Sequence, residues 1–472
     1  MTAFLWLLVI VCVHTGGLFA AIRAAQHSHT AQGAVAWAIS LTAVPYIALP
    51  LYLLIGPPRP GELEVDQADF RAEAYARLLN QQMPPEAIAP IEDKWSLLER
   101  LAPAPTVFSG PPRLLVDGEA VFDAVFRAIE GAEHEIVVQF YIYRDDGLGR
   151  RLHEALCRRS REGVKVLLLY DGIGARNVPE AYWQGLRDAG VDAHEFHLRR
   201  RLPKVMRLNY SNHRKLVAAD GKVAIIGGPN VGDEYLGLDP KFGAWRDTAI
   251  EISGPAARVA QASFVVDWQW AGGDMAALKG EPVAAEPSFA HTPVVLLPTG
   301  PADTIPACSL ALMHLIGSAK KRLWLTTPYF VPDLDVLSTL KVAALRGVDV
   351  RVMIPNRPDH LIVWLAGFTY ADEVIRADVK LYRYMEGFMH HKVMLVDDEV
   401  AAIGTVNFDN RSLHLNFENT VVVMDKTFTA EVAAMLERDF ERCTPHMDSP
   451  YAGFHPVTRA IAPATRLLAP LL

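Results

Sequence analysis

The chain has 472 residues, of which 51% are hydrophobic, and it carries a formal net charge of −8 at pH 7. This length can bury at least two ordinary domain cores, and the acidic balance disfavours a nucleic-acid-binding protein, which usually carries a basic surface. No two of its four cysteines lie close enough in sequence for a zinc or iron–sulfur motif, and nothing indicates a disulfide framework.

Two uncharged apolar segments open the chain, at Ala3 to Ile22 and at Ala34 to Ile55. Each is long enough to cross a hydrocarbon layer roughly 30 Å thick. A cleaved signal peptide is disfavoured because no basic residue precedes Leu5 and a second apolar segment follows at once. We therefore predict a two-span membrane anchor at residues 1–57, with a single span or a re-entrant hairpin as the alternatives. More arginines follow the second segment than the single Arg23 between the two, which favours a cytoplasmic body.

Residues 58–110 begin with a Pro/Gly linker and continue as a polar segment in which we expect one or two helices. From about Pro111, segments with strand and helix patterns alternate, beginning with a strand at Glu135 to Tyr143 and a helix at Gly149 to Glu162. The same order returns in the second half of the chain. Such alternation predicts layered α/β domains that pack face to face.

We place the first α/β domain at residues 111–285 and the second at residues 286–445. A tail at residues 446–472 alternates arginine with apolar residues, so it either lies on a membrane surface or packs on the body as a helix.

Five residues recur in the two halves at one constant offset (390 − 213 = 177). A single His-x-Lys-x4-Asp match is a weak signal, but two copies followed by Gly and Asn at identical spacing are far beyond chance. The duplication predicts one site built from two related halves. The two sets are His213, Lys215, Asp220, Gly227 and Asn230, and His390, Lys392, Asp397, Gly404 and Asn407.

The histidine and the lysine of each copy are two residues apart on an extended segment, so their side chains point to the same face. Two imidazoles, two ammonium groups and two amides, without a metal motif, suit phosphoryl transfer that needs no metal or other cofactor. One neutral imidazole attacks phosphorus, and the other, protonated, serves the leaving oxygen. The lysines and the asparagines Asn230 and Asn407 hold the non-bridging oxygens. Sequence symmetry alone does not choose between the two histidines.

The aspartates of the motif, Asp220 and Asp397, belong to the predicted catalytic set. Each lies an odd number of residues from the histidine and the lysine, so its side chain points to the opposite face of the strand. Each lies at a predicted hairpin turn. We therefore expect them to fix the turns or form salt bridges rather than to react.

The motifs and their surroundings resemble the phospholipase D superfamily and, within it, the bacterial cardiolipin synthases. The resemblance covers almost the whole chain, including the two apolar segments. It rests on Asn212-His-Arg-Lys215, Gly227-Gly-Pro-Asn230, Asp233-Glu-Tyr-Leu-Gly237, Trp245-Arg-Asp-Thr248, Thr327-Pro-Tyr-Phe-Val-Pro-Asp333, Gly404-Thr-Val-Asn-Phe-Asp-Asn-Arg-Ser412 and Leu415-Asn-Phe-Glu418.

The resemblance implies two pseudo-symmetric phospholipase D-like α/β/α domains with the active site between them, preceded by two transmembrane helices. It also implies that His213 is the nucleophile and His390 the acid/base. In the superfamily, an acidic residue downstream of each motif bonds the other imidazole nitrogen, and Asp247 and Glu418 match that role. Surface salt bridges are the alternative for these two carboxylates.

The implied reaction transfers a phosphatidyl group between two phosphatidylglycerol molecules, giving cardiolipin and glycerol through a phosphohistidine. The alternative is a phospholipase D-type hydrolase or transphosphatidylase that uses water or another alcohol. The expected partners are phospholipids and a membrane, with no nucleic acid. The expected location is the bacterial inner membrane, with cytoplasmic catalytic domains.

Three further features have two interpretations each. Asp171, which ends a predicted strand, either lines the site or is structural. His391 faces away from His390 and is interpreted as structural, although it could contribute to substrate binding. The basic run at residues 199–207 either attracts anionic lipid headgroups or is a solvated loop.

Overall fold

The structure is a computed structural model of the chain. Part of the linker, the basic run at 199–207, most of the predicted domain boundary and most of the tail lie outside the residues that it describes. The described residues are 2–27, 31–56, 71, 73, 75–76, 83–196, 210–274, 292–445, 456, 462, 464–466 and 469.

The helices are α1 (Thr2–His27), α2 (Ala31–Ala43), α3 (Pro45–Ile55), α4 (Ser96–Leu101), α5 (Asp117–Gly131), α6 (Gly147–Arg161), α7 (Glu180–Asp188), α8 (Pro255–Trp270), α9 (Ala307–Ser318), α10 (Leu334–Leu345), α11 (Leu361–Ile375), α12 (Asn410–His414) and α13 (Lys426–Glu441). Short 3-10 helices lie at Pro85–Ala87, Asp93–Trp95 and Asp233–Leu236.

The strands are β1 (Val107–Ser109), β2 (Arg113–Val116), β3 (Glu135–Phe140), β4 (Lys165–Asp171), β5 (Asp192–Phe196), β6 (Leu216–Ala219), β7 (Val223–Gly227), β8 (Trp245–Arg246), β9 (Thr248–Ser253), β10 (Thr292–Thr299), β11 (Arg322–Thr326), β12 (Phe330–Val331), β13 (Asp349–Pro355), β14 (Lys380–Tyr384), β15 (Phe388–Met389), β16 (Val393–Val396), β17 (Val400–Gly404), β18 (Phe408–Asp409), β19 (Glu418–Val423) and β20 (Cys443–Pro445).

The second apolar segment is not one continuous helix, so the two predicted transmembrane helices are not confirmed. It breaks at Val44, whose φ of −135° and ψ of 56° are not helical, and restarts with Pro45 as the first residue of α3. Proline disfavours the helical conformation in the residue before it, which accounts for the break. Among the described residues, α1 is the one helix that is long and apolar enough to cross a membrane by itself, over Phe4–His27.

The two halves contain sheets of the same strand order, which confirms the predicted repeat of α/β units. The first sheet has the order β2-β9-β7-β6-β3-β4-β5, and the second has the order β1-β10-β19-β17-β16-β11-β13-β14-β20. Without its outer strands β1 and β20, the second sheet repeats the first strand by strand. In both sheets, three strands on one side run parallel (β3, β4 and β5, or β11, β13 and β14), and the others pair in antiparallel fashion. The strand β1 joins the second sheet although the sequence pattern predicts only helices before the first domain.

Helices cover both faces of each sheet because the strands that carry the core are buried on both faces. An apolar cluster that includes Phe122, Leu152 and Trp183 packs α5, α6 and α7 on the outer face of the first sheet. The helices α9, α10 and α11 cover the outer face of the second sheet in the same way. A third cluster contains Phe264 of α8 and Leu436 of α13 together with residues of both sheets. The two halves therefore share one continuous core.

Two short main-chain pairings join the halves next to the repeated motifs. The strand β8 of the first half pairs in parallel with β15 of the second half. Asn212 of the first half forms an isolated parallel bridge with Phe417 of the second half. Each pairing places the segment that precedes a motif histidine beside a segment of the opposite half.

The described residues of the tail contact the second half. Ala462, Thr465 and Ala469 are buried, and Nη2 of Arg466 lies 3.0 Å from Oε2 of Glu373 on α11. These contacts favour packing on the body over a position on the membrane surface for this part of the tail.

Candidate active site

The two motif imidazoles lie between the halves, and each is hydrogen-bonded to a carboxylate of the opposite half. Nδ1 of His213 lies 2.9 Å from Oε2 of Glu418 and 3.0 Å from Oε1. Nδ1 of His390 lies 2.8 Å from Oδ2 of Asp247. All four residues are buried, with His213 9% and His390 6% exposed. The two pairs are therefore crossed between the halves, an arrangement that the order of residues in the sequence does not reveal.

Main-chain hydrogen bonds hold each crossed pair in register. The backbone N–H of His213 donates to the carbonyl of Phe417, at 2.9 Å, and Phe417 directly precedes Glu418. The backbone N–H of His390 donates to the carbonyl of Arg246, at 2.8 Å, and Arg246 directly precedes Asp247. Each imidazole is thus fixed at its backbone and at its ring by consecutive residues of the other half.

Hydroxyl and amide donors surround the carboxylate of Glu418. Oγ of Ser412 donates to Oε1 at 2.7 Å, Nδ2 of Asn416 donates to the same oxygen at 3.3 Å, and the hydroxyl of Thr405 donates to Oε2. These donors, together with Nδ1 of His213, satisfy a carboxylate that is 0% exposed and stabilise its ionised form.

The carboxylate of Asp247 has a different set of partners. It accepts from Nε1 of Trp245 at 3.3 Å and from the backbone N–H of Thr248 at 2.8 Å. Gly228 packs directly against it, because a Cβ at that position would lie 1.9 Å from Oδ1 of Asp247. The equivalent position in the second half is Thr405 (405 − 228 = 177), whose hydroxyl bonds Glu418. Gly228 of the first half leaves room for the carboxylate of Asp247, whereas Thr405 of the second half donates a hydrogen bond to the carboxylate of Glu418.

The two motif lysines are buried beside the imidazoles. Nζ of Lys215 donates to the carbonyl of His213 at 2.6 Å, and Nζ of Lys392 donates to the carbonyl of His390 at 2.5 Å. Burial lowers the pKa of Lys215 to about 7 and that of Lys392 to about 8, while the carboxylates of Glu418 and Asp247 oppose this shift. The charge of Lys392 also lowers the pKa of Lys215, and two buried ammonium groups this close form a place where an anion is stabilised.

The paired histidines and carboxylates also have pKa values that differ from their ordinary ones. Burial lowers the pKa of His213 to about 4 despite the opposing charge of Glu418, so that this imidazole is neutral at pH 7. Burial and the charge of Lys392 lower the pKa of His390 below its ordinary value. Burial raises the pKa of Asp247 and of Glu418, but the facing imidazoles, the motif lysines and the hydrogen-bond donors together outweigh it, and both carboxyls have lowered pKa values.

The motif aspartates do not contact the imidazoles, which corrects their inclusion in the catalytic set. Asp220 lies at the far end of β6, roughly 20 Å along an extended chain from His213. Its carboxylate accepts hydrogen bonds from the backbone N–H groups of residues 133, 134 and 135, at 2.8–2.9 Å. Asp397 binds the backbone N–H groups of residues 320, 321 and 322 in the same manner. Both have a φ of 52° and fix the segment that leads into β3 or β11.

The two motif asparagines are buried near the ends of the sheets. Oδ1 of Asn230 accepts from the backbone N–H of Ile142 at 3.0 Å, and its Nδ2 donates to the hydroxyl of Tyr235 at 3.0 Å. Asn407 donates its backbone N–H to Oγ of Ser412 at 3.1 Å, and its buried Oδ1 makes no hydrogen bond among the described residues. Phosphate binding by these amides stays a prediction.

Two buried arginines stabilise the crossed pairs, and sequence reasoning did not identify them. Arg246, which precedes Asp247, forms a bidentate ion pair with Asp439 of the second half, at 2.6 and 2.9 Å. Arg214, which follows His213, bonds Asp267 at 2.7 Å and the backbone carbonyl of Glu418 at 3.1 Å. Their positions next to His213 and Asp247 in the sequence could have indicated a role at the site. Their ion-pair partners are distant in sequence, so the pairing itself could not be predicted.

Three more residues lie close to the motif side chains. The ring of Tyr141 has its centroid 5.2 Å from that of His213. The carboxylate of Asp171 accepts from the backbone N–H of Asn212 at 2.8 Å, which fixes the segment before His213, and burial raises the pKa of Asp171 to about 6. His391 is 0% exposed, and burial lowers its pKa well below the ordinary value, so that it stays neutral.

Comparison with known proteins identifies the family. The profile of the family described as "Cardiolipin synthase, PLD-like domain" matches residues 125–261 and 312–443, more than half of the chain. Cardiolipin synthase A of Pseudomonas putida (strain W619) is 41% identical over 473 aligned residues, which cover 98% of this chain and 98% of that protein. Cardiolipin synthase A of Pseudomonas aeruginosa (strain LESB58) is 43% identical over 442 residues, 92% of this chain and 89% of that protein.

A solved structure has the same fold. Phosphatidylserine synthase of Haemophilus influenzae Rd KW20 superposes with a TM-score of 0.63 at 14% identity, covering 81% of this chain and 100% of the solved chain. At this identity the likeness concerns the fold alone. With the profile match and the near full-length relatives, the chain belongs to the cardiolipin synthase family of phospholipase D-like proteins.

Proposed function

We propose that this protein is a cardiolipin synthase, which transfers a phosphatidyl group from one phosphatidylglycerol to the hydroxyl of a second and releases glycerol. The observation that carries the proposal is the pair of buried imidazoles, each oriented by a carboxylate of the opposite half and flanked by a buried lysine. The membership of the chain in the cardiolipin synthase family supports the choice of substrate.

In the first step, His213 acts as the nucleophile. Its Nδ1–H donates to Glu418, which leaves the lone pair on Nε2 and fixes the ring orientation. Nε2 attacks the phosphorus of the donor lipid, a P–N bond forms, and the bond from phosphorus to the glycerol headgroup oxygen breaks. His390, protonated and oriented by Asp247, delivers the Nε2 proton to that oxygen, so glycerol leaves neutral.

In the second step, the roles of proton donor and acceptor reverse. His390, now neutral, removes the proton from a headgroup hydroxyl of the second lipid. The oxygen attacks phosphorus, the P–N bond to His213 breaks, and cardiolipin forms. The ammonium groups of Lys215 and Lys392 stabilise the non-bridging oxygens in both steps. A bound phosphodiester anion raises the pKa of His390 and of the lysines, which favours the protonated forms that the first step needs.

The amino-terminal helices support a two-span anchor for this reaction. Nε2 of His14 on α1 lies 3.1 Å from the hydroxyl of Tyr46 on α3, and Gly17 packs so closely that a Cβ there would lie 2.5 Å from the carbonyl of Leu41. The helix α1 therefore packs against a second helical segment, formed by α2 and α3. The combined length of α2 and α3 is sufficient to cross the bilayer again. We infer a multi-pass protein of the bacterial inner membrane with its catalytic halves in the cytoplasm.

Cysteine labelling in intact cells tests this topology. In a Cys12→Ser background, Gln26→Cys at the carboxyl end of α1 should react with an impermeant maleimide from outside, and Glu86→Cys only after permeabilisation. Reaction of both positions from the same side would contradict the two-span anchor.

The activity itself is tested with purified protein and phosphatidylglycerol as the only lipid. We expect cardiolipin and glycerol in equal amounts, and no product from His213→Ala. Accumulation of phosphatidic acid without cardiolipin would instead establish a hydrolase of the same superfamily, in which water resolves the intermediate.

A further inference from the structure

We propose that the bilayer contacts the catalytic body at an apolar rim formed by Leu334, Leu361 and Ile362 of the second half. These side chains are 55%, 59% and 49% exposed. This inference rests on the proposed function, because it concerns how acyl chains of a lipid substrate are placed while its phosphate reaches the histidines. Isolated exposed leucines are common on soluble surfaces, so the argument depends on where these three lie.

The rim lies at the edge of the second sheet that faces the active site. Leu334 begins α10, just after β12, and Leu361 begins α11, after the carboxyl end of β13. In sheets of this kind, ligands bind at the carboxyl ends of the parallel strands. The helix α11 also packs over β12, since a Cβ at Gly367 would lie 3.4 Å from the carbonyl of Phe330. Both helix starts are therefore on the same side as the site.

A polar contact links the rim to the catalytic groups. Asp359 lies two residues before Leu361, and its carboxylate accepts a hydrogen bond from the hydroxyl of Tyr329. That carboxylate is close enough to His390 and Lys392 to act against the burial that lowers the pKa of both groups. The first turn of α11 is thus at the mouth of the site rather than elsewhere on the surface.

The equivalent place in the first half is polar, so the fold does not require apolar residues there. The helices α7 and α11 correspond, and each has a tryptophan as its fourth residue, Trp183 and Trp364. The first two residues of α7 are the exposed Glu180 and Ala181, whereas those of α11 are Leu361 and Ile362. An apolar start of α11 that has no counterpart on α7 indicates a contact that this helix makes outside the folded chain.

The apolar character of the rim, rather than its charge, suits a bilayer as the occupant. Arg357, in the loop that leads to the rim, is exposed, and so is the acidic Asp335, which directly follows Leu334. Exposed leucine and isoleucine side chains at one place on a surface are able to enter the interfacial layer of a bilayer. Phosphatidylglycerol supplies both the negative headgroup and the acyl layer, and its acyl chains stay in the bilayer while the phosphate enters the site.

The test compares one lipid headgroup in two physical forms, using full-length protein in phosphatidylcholine vesicles. The first substrate is long-chain phosphatidylglycerol in the same bilayer, and the second is dihexanoyl phosphatidylglycerol below its critical micelle concentration. The rim variant is Leu361→Gln with Ile362→Gln. The control is Val342→Gln with Leu345→Gln, which are 54% and 68% exposed at the opposite end of α10.

We expect the rim variant to lose about tenfold in rate on the bilayer substrate, because two apolar side chains no longer enter the interface. Its rate on the short-chain lipid should stay within about twofold of the native rate, and the control pair should behave as native on both. An unchanged rate on the bilayer substrate, or an equal loss on both substrates, would overturn the inference. Failure of the proposed function is distinguishable, since the native protein would then make no cardiolipin from either substrate.

Discussion

Glu418 and His213 lie in opposite halves of the chain, 205 positions apart, yet the carboxylate oxygen Oε2 is 2.9 Å from the ring nitrogen Nδ1. The reciprocal pair, Asp247 and His390, has the same geometry at 2.8 Å. Each of the two motif imidazoles is hydrogen-bonded to a carboxylate of the opposite half and not to one of its own half. The two halves therefore work as one site because each completes the other, and not merely because they lie side by side.

Glu418→Gln should reduce turnover by a factor on the order of 10⁴, since an amide that donates to Nδ1 places the proton on Nε2 and removes the attacking lone pair. The measurement is the initial rate of glycerol release from phosphatidylglycerol. The matched control is Glu251→Gln, which alters a carboxylate on β9 that pairs with Arg113 of β2. A variant with rates within threefold of the control would contradict the role of Glu418.

Gly228→Ala should lower activity on the order of 10²-fold, because the new methyl group displaces Asp247 and thereby misplaces the imidazole of His390. The fold should remain, as judged by circular dichroism and thermal unfolding. Gly131→Ala is the control, since a Cβ at Gly131 has no atom within 4 Å. Equal activity of the two variants would show that the contact between Gly228 and Asp247 is unimportant.

Asp220→Ala should affect stability rather than chemistry. Three backbone N–H groups, of which that of Glu135 is buried, would lose their acceptor, which costs about 2–4 kcal/mol in the free energy of unfolding. Turnover per folded molecule should stay within about threefold of the native value, because the carboxylate does not touch the substrate. Denaturant unfolding followed by tryptophan fluorescence measures the loss, with the exposed Asp123→Ala as control. Lost turnover at unchanged stability would restore Asp220 to the catalytic set.

The same variant has a defined pH dependence. Burial raises the pKa of Asp220, but the three backbone donors more than offset it, so its pKa in the folded state is lowered. A group with a depressed folded-state pKa stabilises the fold above its unfolded value of about 3.9 and loses that contribution as the pH falls. The stability difference between the native protein and Asp220→Ala should therefore be full at pH 6 and shrink below about pH 4. A constant difference down to pH 3 would be inconsistent with this account.

The pH dependence of kcat/KM should have two limbs set by buried groups. Burial lowers the pKa of His213 to about 4, so activity falls in acid as the nucleophile is protonated. Burial lowers the pKa of Lys215 to about 7 and of Lys392 to about 8, and it also lowers the pKa of His390, so activity falls in alkali as the phosphate loses its cations and the leaving oxygen loses its proton donor. The midpoint of the alkaline limb should lie at a higher pH in the profile of kcat than in that of kcat/KM, because bound phosphate raises the pKa of both lysines.

Lysine variants test the assignment of the alkaline limb. Lys215→Met and Lys392→Met should each raise KM and remove one alkaline step from the profile of kcat/KM. Initial rates between pH 4 and pH 10 in zwitterionic detergent measure this. If both variants keep the alkaline limb of the native protein, a group other than the two lysines is responsible for it.

Much of the fold was predictable because its strands and helices have strong local patterns. The strand β3 is a buried run that is rich in β-branched residues, and α6 lies within two residues of its predicted span, Gly149 to Glu162. The break at Val44 escaped prediction because the run remains apolar throughout, and its two prolines, Pro45 and Pro50, were outweighed by hydropathy. The strand β1 escaped because three residues are too few for a periodic signal.

The candidate site was predictable in its residues but not in its pairing. The duplicated His-x-Lys pattern locates both imidazoles and both lysines, because spacing in sequence is preserved between the copies. The crossing of Glu418 to His213 depends on how the two sheets pack, and no local pattern contains that information. The ion pair between Arg246 and Asp439 was missed for the same reason, since its partners are 193 positions apart.

The central claim is that His213 carries the phosphatidyl group while His390 only moves protons. A phosphatidyl p-nitrophenyl ester tests it most directly, because p-nitrophenolate leaves without a proton donor. With His390→Ala, this substrate should give a burst of about one p-nitrophenolate per active site, since attack proceeds but the acceptor hydroxyl is not activated. Mass spectrometry of the alkali-stable adduct should place the phosphatidyl group on His213. An adduct on another residue, or a burst that persists in His213→Ala, would contradict the account.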